Sequence, residues 1–147
     1  MDRAQPDLSE SLPDAFWQGV NQFNQGHYYD CHDTLEALWM EADPAERQFY
    51  QGILQIAVGL YHLGNGNWQG AATLLGEGRH RLSAYGPSHQ GIDVDDLRHR
   101  TGHWLAALHQ LGTTEVAGLA AAVQGNTDTA VAGLETPLPA VRIRRIP

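Results

Sequence analysis

The chain has no lysine at all, and its basic character rests on nine arginines against 17 acidic residues, a formal net charge of −8. Three of those arginines (Arg142, Arg144 and Arg145) crowd the last six residues, so the body is more acidic than the total implies. With no basic stripe to neutralise phosphates, nucleic acid and anionic membrane surfaces are unsuited as partners. A single cysteine, Cys31, leaves no internal disulfide and points to a reducing compartment. The first residues lack the basic-then-apolar order of a signal peptide. The longest apolar run, Ile53 to Leu63, is interrupted by Gln55 and His62 and is too short to span a bilayer. These absences lead us to expect a cytoplasmic protein. Missing too are a Gly-x-Gly-x-x-Gly turn, a phosphate-cradling Gly-x-x-x-x-Gly-Lys loop, a Gly-x-Ser-x-Gly elbow and a Cys-x-x-Cys pair, so most large enzyme classes lack support.

What is present is helical periodicity. A chain of 147 residues forms one domain. Apolar spacing predicts an all-α fold: a compact bundle of five to six helices around an apolar third helix, with an extended C-terminal tail. Residues 1–12 read as an N-terminal tail, 13–124 as the helical domain, and 125–147 as coil followed by an extended arm. The first helix should run from about Pro13 to Asn24, with Phe16, Trp17, Val20 and Phe23 on one side, and the second from about Tyr28 to Ala42. Asp43 stands where a cap belongs, Pro44 suits the first turn, and Glu46 completes a capping-box spacing for the third. Asn67 should cap the fourth helix and Asp93 the fifth. A short Ala-rich sixth follows Gly112. No internal strand is convincing, and the alternation of Val-Arg-Ile-Arg-Arg-Ile-Pro147 suits an arm lying extended on the body or on a neighbouring subunit.

The third helix is apolar nearly all round, which marks it as central. Its remaining strip holds Gln51, Gln55 and His62, edged by Gly52 and Gly59, one heptad apart. Those glycines would admit a neighbouring backbone at close range. On the second helix Tyr28, Leu35 and Trp39 centre the inward stripe, with His32 and Glu36 beside them, four residues apart and able to share a hydrogen bond. The spatial expectation is therefore one polar cluster of His32, Glu36, Gln51, Gln55 and His62 between the second and third helices. Three uses fit it. It is a buried network fixing helix register, with Glu36 setting the His32 tautomer and Trp39 adding a donor. Alternatively it holds a small polar ligand. In a third use His32, Glu36 and His62 bind one divalent metal and activate water for hydrolysis, although the fold itself requires no cofactor.

Other polar pairs fail on phase. Glu77 and His80, and likewise His99 and His103, fall opposite the apolar face of their helices and read as solvated. Cys31 borders the inward face as a small hydrophobe rather than a nucleophile.

Taken in order, Gly26, Tyr29, His32, Asp33, Leu35, Glu36 and Trp39, then Arg47, Gln51-Gly52, His62, Gly66-Asn67 and Gly70-Ala71, resemble a small all-helical family, domain of unknown function 309. The resemblance runs from about Trp17 to Leu82. It implies a compact helical domain and supplies no activity. Carried over by position, its characteristic polar residues are His32, Glu36, Gln51 and His62, with Asp33 standing where the family commonly has Glu. The reading that follows is a binding or scaffold module, with a metal-assisted hydrolase and a homo-oligomer joined through apolar faces and the C-terminal arm as alternatives.

Overall fold

A computed structural model describes the backbone from Leu8 to Pro147 and the side chains from Asp14 onward. Among the described residues there are six α-helices: α1 (Leu8–Asn24), α2 (Tyr28–Glu41), α3 (Pro44–Gly64), α4 (Trp68–Leu82), α5 (Val94–Leu111) and α6 (Val116–Gly125). The first helix thus begins inside the segment expected to be a tail, and residues 1–7 of that tail lie outside the described residues. The expected all-α class holds.

The third helix is central, as its composition requires. It packs against α2, α4 and α6, and Phe49, Ile53, Ile56, Ala57, Leu60 and Leu63 along it are fully buried. Against α4 the approach is close because glycine faces glycine. A Cβ built on Gly78 would lie 2.6 Å from the carbonyl oxygen of Gly52, and one on Gly59 would lie 2.9 Å from the Leu75 side chain. Those two positions of α3 were legible in advance; Gly78 was not.

The entry to α3 differs from expectation. Asp43 precedes the helix but its side chain makes no capping hydrogen bond, so the capping box does not form. Glu46 turns instead to the far side of the molecule, where His89 Nε2 sits 2.8 Å from its Oε1 and the Gln90 amide donates to the same oxygen. His89 belongs to a small hairpin that periodicity missed, β1 (Ser88–His89) paired antiparallel with β2 (Ile92–Asp93). Two-residue strands are too short for alternation to register. The His89 ring stacks edge-on against Phe49 and Tyr85, with centroids 4.6 and 4.9 Å away.

Burial alone would raise the Glu46 carboxyl, but hydrogen bonds from His89 and Gln90 and the charge of His89 outweigh it, leaving the group below its ordinary 4.5. A depressed folded pKa contributes stability that is present above the unfolded value and is lost as pH falls through the folded one. Acidification below about pH 4.5 should therefore lower the melting temperature of the native chain more than that of Glu46→Gln. Equal acid sensitivity of the two proteins, measured by circular dichroism melts, would contradict this anchoring.

Asp93 caps α5 as expected, accepting from the Asp96 amide at 2.9 Å. The C-terminal arm lies in cis, on its own body. Leu138, Ala140, Val141 and Ile143 are buried, and Asn24 brackets Ile143 by donating to its carbonyl at 2.9 Å and accepting from its amide at 2.8 Å. Beyond it the Asp93 amide donates to the Arg144 carbonyl, and the Arg145 guanidinium lies 3.9 Å from the Trp17 ring centroid. Among the described residues no helix is long and apolar enough to cross a membrane.

Candidate functional site

The five residues expected to converge do not share one site. His32 and His62 do meet: together with Tyr29, Val58 and Tyr61 they line a recess of about 170 Å³ between α2 and α3. Glu36, Gln51 and Gln55 are not among its walls. Gln55 is buried, but it rotates toward α4, donating to Glu77 at 3.1 Å and accepting from Arg81 Nε at 2.9 Å. The helix that covers Gln55 is α4, not α2 as expected. Glu77, read as merely solvated, thus anchors a buried glutamine while remaining exposed.

Glu36 does not fix the His32 tautomer. Its carboxylate is 52% exposed and lies 3.7 Å from His32 Nε2, beyond hydrogen-bond reach. The nearer carboxylate is that of Asp33, whose Oδ1 stands 3.2 Å from Nδ1 of the same ring. Nor does Trp39 join a network. Its indole N–H is buried without a partner, and its ring lies beneath the Arg47 guanidinium, 5.3 Å from the centroid. Arg47 in turn donates to the carbonyls of Trp39 and Ala42, tying the end of α2 to the start of α3.

His62 is held with more care. Asn67 accepts from the Gly70 amide through Oδ1 at 2.9 Å, the cap expected for α4. That bond fixes the carboxamide orientation, so its NH2 faces His62 Nδ1 at 3.4 Å. Nδ1 is then placed to accept from that amide, a contact that favours the Nε2–H tautomer. Gly70 completes the arrangement, since a Cβ there would come within 3.0 Å of the His62 ring. The run Gly66-Asn67 to Gly70-Ala71 is thus a device that begins a helix and presents an imidazole.

The recess owes the rest of its shape to residues outside the expected polar cluster. Tyr29 and Tyr61 meet edge to face, centroids 5.4 Å apart, while remaining 56% and 41% exposed. Tyr29 entered the sequence analysis only through the family resemblance, and the exposed position of Tyr61 at the last turn of α3 was not anticipated. Cys31 is fully buried, which pushes its thiol up to about 12 and makes it inert. His99 and His103 are exposed as expected, their Nε2 atoms 3.1 Å apart. Among the described residues no three His, Cys, Asp or Glu side chains are grouped as one ion would need, so His32, Glu36 and His62 do not form the expected metal triad.

The described residues form a helical fold with a recess lined by Tyr29, His32, Val58, Tyr61 and His62. Residues 16–74 match the family model described as domain of unknown function DUF309. The match takes in α2 and α3 whole, and with them every wall of the recess and the Asn67–Gly70 device that orients His62. The uncharacterized protein YpuF of Bacillus subtilis (strain 168) is 34% identical over 73 residues, covering 49% of this chain and 40% of that protein. The chain therefore spans less than half the length of this relative.

Proposed function

We propose that the domain is a binding module whose site is the recess of Tyr29, His32, Val58, Tyr61 and His62, and that its ligand is small and polar with one flat apolar edge. One observation carries the reading: two histidines from different helices open onto one recess, one of them presented by a capping asparagine and a glycine that exists to make room for its ring. The tyrosine rings supply apolar faces at low entropic cost, and His62 Nε2–H supplies a donor.

The test is a titration with small heteroaromatic compounds, followed through the ring-proton signals of His32 and His62. Binders should move both rings together. Asn67→Ala removes the bond that orients His62 and should weaken them about three- to tenfold, the worth of one hydrogen bond. Compounds that bind that variant and His62→Ala as tightly as the native chain would overturn the assignment.

A further inference from the structure

A second pair of imidazoles stands on α5, outside the recess already described. His99 and His103 are one helical turn apart, and their Nε2 atoms approach to 3.1 Å with the ring planes at 87°. Both side chains are exposed and border a recess of about 300 Å³ that also takes in Arg79 and Gly102. Neutral rings meet in this way when one Nε2 lends its proton to the other, or when both turn lone pairs toward a common cation. A divalent ion seated about 2.0–2.1 Å from each nitrogen would subtend an angle of about 100° at that separation. This lies between the right angle of square-planar coordination and the tetrahedral angle, the two geometries that late first-row ions adopt with imidazole.

Both ligands ride on one rigid helix, so once the first bond has formed the second is intramolecular, which raises two weak ligands to a chelate. The residues between them are Arg100, Thr101 and Gly102, and the glutamate that serves as general base in a His-Glu-x-x-His helix has no counterpart. The pair is equipped to hold an ion rather than to hydrolyse with it. Among the described residues no third His, Cys, Asp or Glu joins the two, so the remaining coordination positions fall to an outside ligand. Arg79 selects the charge of that ligand. Its Nε donates to the Arg98 carbonyl at 2.9 Å, and its guanidinium lies across Gly102, where a Cβ would stand 3.2 Å from Nη2. Among the described residues no carboxylate pairs with it. That fixed charge opposes a bare dication, whereas an ion carrying an anionic ligand brings the guanidinium the partner it lacks.

We propose that this face of α5 is a metal site, binding a late first-row divalent ion through His99 and His103 together with a small carboxylate ligand that fills the open positions and pairs with Arg79. Imidazole donors suit copper(II), nickel(II) and zinc(II), and the usual order of stability puts copper(II) first. The proposal is independent of the binding reading above, since neither His32 nor His62 is a wall of this recess.

Two probes test it in the full chain: copper(II)–iminodiacetate, which is uncharged, and copper(II)–nitrilotriacetate, which carries one negative charge. Each leaves adjacent positions open for two imidazoles. The uncharged complex should broaden the ring-proton signals of His99 and His103 before those of any other histidine. His99→Ala and His103→Ala, both at exposed positions, should each weaken the two complexes at least about tenfold. Arg79→Gln should weaken the anionic complex about threefold and leave the uncharged one as it was, which also reports that α5 is intact. Either alanine variant binding as tightly as the native chain would overturn the chelate. Broadening of all the histidines at one concentration would overturn it too, as an adventitious ion only. Equal effects of Arg79→Gln on the two probes would remove the carboxylate ligand from the assignment.

Discussion

Replacing Gly78 by alanine should unfold the domain at a temperature far below the native one, while the same replacement two residues earlier should raise it. In a helix interior, alanine normally stabilises over glycine by about 0.5–1 kcal/mol. Gly76 obeys that rule, because nothing lies within 4 Å of the Cβ it would gain. At Gly78 the new methyl would meet the Gly52 carbonyl oxygen at 2.6 Å, the Ile56 amide nitrogen at 3.0 Å and an Ile56 side-chain carbon at 2.8 Å. Two of those three are backbone atoms and cannot swing aside. The helices must separate, and separation loosens Gly52 against Leu82 and Gly59 against Leu75 along the same seam. Overpacking of this kind costs about 3 kcal/mol. The two variants should then differ by about 4 kcal/mol, or roughly 15 °C in melting temperature for a domain of this size. Thermal melts of Gly76→Ala and Gly78→Ala side by side decide it. A neutral or stabilising Gly78→Ala would mean that α3 and α4 are not in backbone contact.

The contrast between those glycines shows where sequence reasoning stops. Gly52 and Gly59 stood out because they interrupt the most apolar helix at one heptad's spacing. Gly78 shares the inward phase of α4 with Ala71, Leu75 and Leu82 while Gly76 does not, but only the partner backbone shows that a methyl there has no room. The same limit governs the site. Phase along a helix says which residues share a face, and His32 and His62, expected on facing surfaces of α2 and α3, line one recess. It does not say which neighbour covers each end of a strip, and α4 rather than α2 covers Gln55. Glu36 followed His32 by four residues and shared its stripe, yet it stays largely in water, where its charge needs no partner. Asp43 had the right position for a cap, but Glu46, the other half of the box, found stronger partners in His89 and Gln90.

Ending the chain at Thr136 should cost the domain most of its stability. The arm beyond that point buries Leu138, Val141 and Ile143 at 5, 3 and 3% exposure, and burying such side chains is worth about 1.5–3 kcal/mol each. Ordering the arm opposes this through lost chain entropy, so its own burial leaves a modest surplus. The larger loss falls on the body. Trp104, 1% exposed, donates its indole N–H to the Pro139 carbonyl at 2.7 Å, and Arg100 donates to the Ala140 carbonyl at 2.9 Å. Asn24 would forfeit both bonds to Ile143, and the hairpin would lose the strand that pairs with Ile92 and takes up the Asp93 amide. Each stranded group adds about 1 kcal/mol or more, and the apolar surface beneath the arm becomes wet. A deficit of about 5 kcal/mol is comparable to the whole stability of an ordinary domain. Cooperative melting should therefore vanish or shift down by roughly 15 °C. Single substitutions locate the loss: Ile143→Ala should cost about 3 kcal/mol, and Asn24→Ala about 1–2 kcal/mol. If the shortened chain melts as sharply and as hot as the native one, and Ile143→Ala is silent, then the arm is an appendage and the core closes without it.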